Sequence, residues 1–99
     1  MDSRNNDKLA IKFEMQALKQ WVKIIVQKSF TIDSLKMLLA KKFDYNFEHI
    51  TIRAFAPAEK FGSQKERLQL PTKQPLQTIL YFKDKQEYRV QLELDFWGG

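Results

Sequence analysis

Two neighbouring stretches near the start of the chain alternate between apolar and polar side chains, and this pattern constrains the fold more than any other feature. The stretches are Leu9–Met15 and Trp21–Val26, joined by the polar connection Gln16–Gln20. A two-residue repeat is typical of a β-strand with one buried face, and the second stretch is rich in β-branched residues, which favour strands. The apolar sides consist of Leu9, Ile11, Phe13, Met15, Val22, Ile24 and Val26. We therefore predict a hairpin of two strands with a longer loop.

A helical repeat follows the hairpin. The hydroxyl of Thr31 can accept a hydrogen bond from a free backbone N–H, and Asp33 lies in the first turn, where the helix dipole favours an anion. Apolar residues then recur at intervals of three or four and form one stripe, made of Ile32, Leu35, Leu39 and Phe43. The pattern predicts a helix from Thr31 to Lys42 or Phe43 that buries this stripe.

The rest of the chain supplies three further extended segments and one helical turn. Strands are predicted at His49–Phe55, Leu68–Leu70 and Arg89–Asp95, with an exposed loop at residues 57–66 and a helical turn at Pro75–Leu80. The last strand is so apolar on one side that it needs a neighbour at each edge. The element order places one main helix across one face of a mixed sheet. The predicted fold class is α+β, in the ββαβ-β order of a β-grasp domain.

Length and composition indicate one soluble domain. A chain of 99 residues suffices for one modest core, and its 43% hydrophobic and 29% charged residues are typical of a folded protein. Residues 1–8 are polar and lack periodicity, so we interpret them as a flexible leader. The predicted domain covers residues 9–95, and residues 96–99 form a tail. We expect a monomer.

Composition also argues against several classes of function. There is no cysteine, and His49 is the only histidine, so neither a disulfide framework nor a metal site is expected. The sequence contains no Gly-rich phosphate loop, nucleophile elbow or pair of catalytic carboxylates, and we therefore expect neither enzymatic activity nor a cofactor. No apolar segment could span a membrane and none resembles a secretory signal, which favours the cytoplasm or the nucleus.

The net charge of +5 raises nucleic-acid binding as a further class. The 17 Lys and Arg residues are dispersed along the chain, and only Lys41 and Lys42 are adjacent. A dispersed excess of positive charge gives weak, salt-sensitive affinity for nucleic acid. We therefore rank nucleic-acid binding behind protein binding.

Two segments resemble the ubiquitin family. Thr31–Lys36 is similar to the start of the ubiquitin helix, and Arg89–Gly99 is similar to its last strand and C-terminus, with the glycine pair at the same spacing. The resemblance implies a protein modifier, conjugated to target lysines through the carboxylate of Gly99 by activating and conjugating enzymes. Gly98 and Gly99 lack a Cβ atom and can pass through a narrow enzyme channel.

The residues before the glycine pair differ from those of ubiquitin. Asp95 stands where ubiquitin has an arginine that its activating enzyme reads, and the bulky Phe96 and Trp97 precede the glycines. The resemblance therefore implies a dedicated activating enzyme. A tail extended from Asp95 would reach about 16 Å, at about 3.3 Å per residue.

The outward sides of the predicted strands supply candidate residues for binding a protein partner. Trp21 and Ile25 share one side of their strand with Lys23 and lie near Lys12, so an apolar spot with a basic rim is predicted. The resemblance places Arg53 and Glu93 where ubiquitin has its apolar recognition patch, which predicts that this patch is missing. The predicted partner contacts are Trp21, Ile25, Arg53, Phe96 and Trp97. Alternatively, Trp21 packs under the leader or the tail, and Ile25 is one of many scattered surface apolar residues.

Two functional hypotheses follow from these features. The first is a ubiquitin-like modifier conjugated through Gly99. The alternative is a non-covalent interaction module, an adaptor or scaffold domain that binds proteins through its sheet.

Overall fold

The computed structural model describes residues 7–48, 50–58 and 67–96, with Phe96 described by its backbone alone. Within these ranges the chain forms five strands and one α-helix. Their bounds are β1 Lys8–Met15, β2 Gln20–Gln27, α1 Lys36–Phe43, β3 Ile50–Ala56, β4 Leu68–Leu70 and β5 Glu87–Phe96. Short 3-10 turns cover Gln16–Leu18, Asp33–Leu35, Leu76–Thr78 and Leu80–Phe82.

The five strands form one mixed sheet in the order β2-β1-β5-β3-β4. β1 pairs with β2 in antiparallel and with β5 in parallel orientation, and β3 is antiparallel to both β5 and β4. β5 thus has a neighbour at each edge, as predicted from its apolar side. With one main helix among the described residues, the predicted α+β arrangement is confirmed.

The core lies between the sheet and α1. All four residues of the predicted helical stripe are buried, at 3% exposure or less, and so are the four inward side chains of β1. In β2, Ile24 and Val26 are buried and Val22 is half-buried against the same cluster. Burying such a side chain contributes about 1.5–3 kcal/mol, so this single face of alternating residues accounts for much of the stability.

The helical segment begins where the sequence predicts. The Thr31 Oγ1 accepts a hydrogen bond from the Ser34 N–H at 3.0 Å, and the Ser34 Oγ accepts one from the Thr31 N–H at 3.1 Å. This reciprocal cap is followed by a 3-10 turn, and regular α-helix begins only at Lys36. The helix ends at Phe43, where Asp44 takes a left-handed conformation with φ 55° and its N–H bonds back to the Ala40 carbonyl.

Three details differ from the sequence-based picture. The predicted helical turn is followed by a second one, Leu80–Phe82, whose rings pack with Tyr88. β5 begins at Glu87 and ends at Phe96, so the strand is longer than predicted and includes the first residue of the proposed tail. β1 begins at Lys8, the last residue of the proposed leader. Residues 1–6, His49, 59–66 and 97–99 lie outside the described residues, and most of the predicted exposed loop at 57–66 is among them.

Candidate protein-interaction surface

The sheet has an outer face, the one opposite α1, and its β2 half carries two large apolar side chains. Trp21 is 59% exposed and Ile25 is 69% exposed, because both alternate with the inward residues of β2. Lys23 lies between them on the same face. The structure thus places Trp21 and Ile25 on the surface, as the sequence predicts.

Basic side chains surround Trp21. The Nζ of Lys12 lies 4.5 Å from the centre of the indole ring, which is the geometry of a cation–π contact. Lys12 is also the cross-strand partner of Lys23, and Lys23 forms an ion pair with Glu87. We call this surface, made of Trp21, Ile25, Lys12 and Lys23, the Trp21 patch.

A carboxylate and a guanidinium support the patch from β1 and β5. The Arg89 Nε and Nη2 donate to the two Glu14 carboxylate oxygens at 2.9 and 3.1 Å. These hydrogen bonds hold the pKa of Glu14 below its ordinary value and raise the pKa of Arg89. Glu14 is the cross-strand neighbour of Trp21, and its carboxylate is 3.9 Å from the Lys12 Nζ. The charged groups beside the indole are therefore held in one arrangement.

Tyr81 joins the outer face from the turn before β5. Its hydroxyl donates to the Arg89 carbonyl at 2.8 Å, just before the part of β5 that pairs with β3. Its ring packs against Phe82 and Tyr88, with centroids 5.0 and 5.2 Å away. Partial burial raises the pKa of Tyr81, so the hydroxyl stays protonated as a donor at neutral pH.

An open groove of about 1010 Å³ connects these parts of the outer face. We call it the Trp21–Tyr81 groove. Its lining residues come from β1, β2, β5, the Leu80–Phe82 turn, the link between that turn and β5, and the two residues after β3: Lys12, Trp21, Lys23, Pro57, Ala58, Leu80, Tyr81, Asp84, Lys85, Glu87, Tyr88 and Arg89. Sequence reasoning found Trp21, Lys12 and Lys23 but missed Leu80, Tyr81 and Arg89. Alternation predicts that Arg89 faces away from Val90, but no sequence signal shows that Leu80, Tyr81 and Arg89 lie beside Trp21.

The β3 half of the outer face is occupied by ion pairs. The Arg53 guanidinium lies 3.4 Å from the Glu93 Oε1 and 2.9 Å from the Asp95 Oδ2, and Arg67 also pairs with Glu93. Arg53 and Glu93 are direct cross-strand partners, so their charged groups lie side by side on this face. The two guanidiniums lie over Phe55, at 5.7 and 4.1 Å from its ring centre, and leave it 8% exposed.

Among the predicted contact residues, Arg53 lies apart from Trp21 and Ile25 on the outer face. Two strands separate β3 from β2, and at about 4.8 Å between neighbouring strands Arg53 lies about 14 Å from the Trp21 row. Phe96 is the last residue of β5 and pairs with Ile50. Trp97, Gly98 and Gly99 lie outside the described residues.

The pairing of β5 shortens the predicted reach of the tail. Asp95 and Phe96 pair with Thr51 and Ile50, so two of the five residues counted in that reach belong to the sheet. The remaining three span at most about 10 Å at about 3.3 Å per residue.

Within residues 7–48, 50–58 and 67–96, no group of three or more His, Asp or Glu side chains is placed to hold a metal ion. No helix of this part of the chain is long and apolar enough to cross a membrane.

Comparison with known proteins identifies the fold. No family model and no curated protein matches the sequence. Among solved structures, the chain is similar to one described as "Molecular Mimicry of SUMO promotes DNA repair", with a TM-score of 0.60 and 13% identity over 88% of this chain and 91% of the other. It is also similar to a protein designed de novo on the basis of ubiquitin, with a TM-score of 0.57 and 15% identity over 93% and 94%. The chain has the ubiquitin-like β-grasp fold.

Proposed function

We propose that this ubiquitin-like protein acts as a non-covalent interaction module that binds a protein partner through the Trp21 patch. The observation that carries the proposal is the exposure of Trp21 and Ile25, 59% and 69%, on the same face of one strand. Trp is enriched among the residues that dominate binding energy at protein interfaces, and such residues are surrounded by polar rims. The patch has this composition.

Both the exposed apolar area of the Trp21 patch and the restrained position of its indole favour binding. Ile25 is mostly in contact with water, and complete burial of such a side chain contributes about 1.5–3 kcal/mol. The Lys12 contact restrains the indole of Trp21, so less side-chain entropy is lost when a partner covers it. The ion pairs over Phe55 leave no comparable apolar surface on the β3 half among the described residues.

The proposal is tested by the affinity for a purified partner of Trp21→Ser and Ile25→Ser variants. Met37→Ser is the matched control, because Met37 is 86% exposed but lies on α1, across the molecule from the outer face. We expect each patch variant to lose at least tenfold in affinity, as hot-spot residues do, and the control to bind like the wild type. Unchanged binding by both patch variants, or an equal loss in the control, would refute the proposal.

Conjugation through Gly99 is the second candidate function, and it is supported by the glycine pair that follows β5 by one residue. A dedicated activating enzyme would be needed. If that enzyme reads Asp95, it must compete with the Arg53 guanidinium 2.9 Å away. The position of Asp95 thus makes activation sensitive to Arg53.

Conjugation is tested by adding purified protein and ATP to an extract of the source cells. Wild type should give slower-migrating adducts that a variant lacking Gly99 does not form, and Met37→Ser should behave like wild type. Identical bands for wild type and the Gly99 deletion would exclude this function. That outcome leaves the interaction module intact, because the Trp21 patch does not involve the glycines.

A further inference from the structure

We infer that the Trp21–Tyr81 groove accepts an extended acidic segment of a partner protein that carries at least one apolar anchor side chain. The inference rests on the proposed interaction function and adds the chemistry of the partner. Its basis is the combination of apolar walls and excess positive charge in one open groove.

The apolar walls come from two separate parts of the fold. Trp21 on β2 lines one part of the groove, and Leu80 and Tyr81 from the turn before β5 line another. Leu80 is 82% exposed although it belongs to a turn whose next residues, Tyr81 and Phe82, are partly or fully buried. Exposed apolar side chains that converge on one concavity are the usual anchor sites for a ligand.

The dimensions of the groove suit a short extended segment. Its volume of about 1010 Å³ lies at the upper end of the range of about 300–1,000 Å³ that is common for ligand sites, and the groove is open to solvent. Its lining residues span three neighbouring strands, β2, β1 and β5. These strands extend over about 10 Å at about 4.8 Å spacing, which is the length of about three extended residues.

The charges of the lining favour an acidic segment. Four cationic and two anionic side chains line the groove. One ion pair is formed within it, between Lys23 and Glu87, and both side chains are about half exposed, so solvent weakens the pair. Lys12 lies 3.9 Å from a carboxylate that Arg89 already binds through two hydrogen bonds. Positive potential therefore remains beside the indole for the carboxylates of a partner.

The β3 half of the same face shows a different charge balance. There, Arg53 and Arg67 are matched by Glu93 and Asp95. The excess positive charge of the outer face is thus concentrated at the groove and does not extend over the whole sheet. An acidic segment is directed to the end of the sheet where the exposed apolar side chains are.

The experiment uses four fluorescein-labelled peptides and fluorescence anisotropy with the full chain. The probe contains two leucines flanked on each side by three aspartates. Three matched peptides serve as controls. In the lysine peptide every aspartate is replaced by lysine, in the serine-flanked leucine peptide every aspartate is replaced by serine, and in the third peptide both leucines are replaced by serine. We expect the acidic leucine peptide to bind at least tenfold more tightly than each of the others at low salt, and its affinity to fall as salt is added.

Charge-reversal variants locate the site. The double variant Lys12→Glu, Lys23→Glu should lower the affinity for the acidic leucine peptide at least tenfold. The double variant Lys41→Glu, Lys42→Glu makes the same change of net charge on α1 and should lower this affinity less than threefold. Equal effects of the two pairs, or tightest binding of the lysine peptide, would overturn the inference. The serine-flanked leucine peptide could bind as tightly as the acidic one and lose this binding in Trp21→Ser. That result would overturn the acidic preference and leave the proposed interaction function standing.

Discussion

At the residue scale, the outer face shows how one strand position decides what a side chain does. Trp21 and Val22 are neighbours in sequence, yet Trp21 is exposed on the outer face and Val22 packs against the core. The same alternation places Glu14 beside the indole, where Arg89 holds its carboxylate by two hydrogen bonds. The local chemistry of the Trp21 patch thus follows from the register of β1, β2 and β5.

The Glu14–Arg89 pair predicts a pH effect. The folded-state pKa of Glu14 lies below its ordinary value of 4.5, mainly because of the hydrogen bonds from Arg89. The pair therefore stabilises the fold above about pH 4.5, and this contribution is lost as pH falls through the lower folded-state pKa. Glu14→Gln should make the unfolding free energy less dependent on pH below 4.5, as measured by urea titrations from pH 3 to 7. An unchanged pH dependence would show that the pair contributes nothing.

Much of the residue-level pattern could be predicted from sequence, and its limits have a physical cause. Alternation identified the buried side of β1 and the exposed position of Trp21, because a strand repeats every two residues. It could not reveal that Phe55, on the outer side of β3, is nearly buried, since two arginines from other parts of the chain cover it. Leu80 and Tyr81 were missed because they lie in a short 3-10 turn, where neither a two-residue nor a helical repeat shows which side chains face outward.

At the element scale, the start of the helical segment depends on two short side chains. Thr31 and Ser34 satisfy each other's backbone N–H groups before the 3-10 turn begins. The sequence predicted Thr31 as the cap but not the 3-10 geometry of the first turn, which local propensities do not distinguish from α-helix. The last turn was predicted correctly, with α1 ending at Phe43.

Removing the cap should destabilise the protein by a moderate amount. We expect Thr31→Ala to lower the free energy of unfolding by about 1 kcal/mol, because the Ser34 N–H loses its acceptor. Thr31→Ser retains a hydroxyl and should change it by less than about half as much. Chemical denaturation measures both, and equal losses in the two variants would show that the hydroxyl does not act as a cap.

Truncating a buried leucine of α1 and an exposed leucine of the turn before β5 should have very different effects on stability. Leu39 on α1 is fully buried, and Leu39→Ala should cost about 2–5 kcal/mol through lost burial and a residual cavity. Leu80 is 82% exposed, and Leu80→Ala should change stability by less than about 0.5 kcal/mol. Thermal unfolding of both variants tests this, and a large loss for Leu80→Ala would mean that its side chain supports the fold instead of lining a free groove.

At the scale of the whole molecule, the two faces of the sheet have different roles. The inner face and α1 form the core, and the outer face is divided between compensated ion pairs on the β3 half and the apolar, basic Trp21 patch on the β2 half. Two solved structures share the fold at only 13% and 15% identity, and because a fold does not determine function, the proposed function rests on the surface residues.

The most direct test of the account is a two-dimensional NMR titration that follows the two indole N–H signals as a purified partner protein is added. Trp97→Phe assigns the signals, since the chain contains only two tryptophans. If the partner binds the Trp21 patch, the Trp21 signal and the amide signals of β1 and β2 shift together, while the amide signals of α1 remain in place. Shifts confined to α1, or to the Trp97 signal with Trp21 unchanged, would contradict binding at this patch.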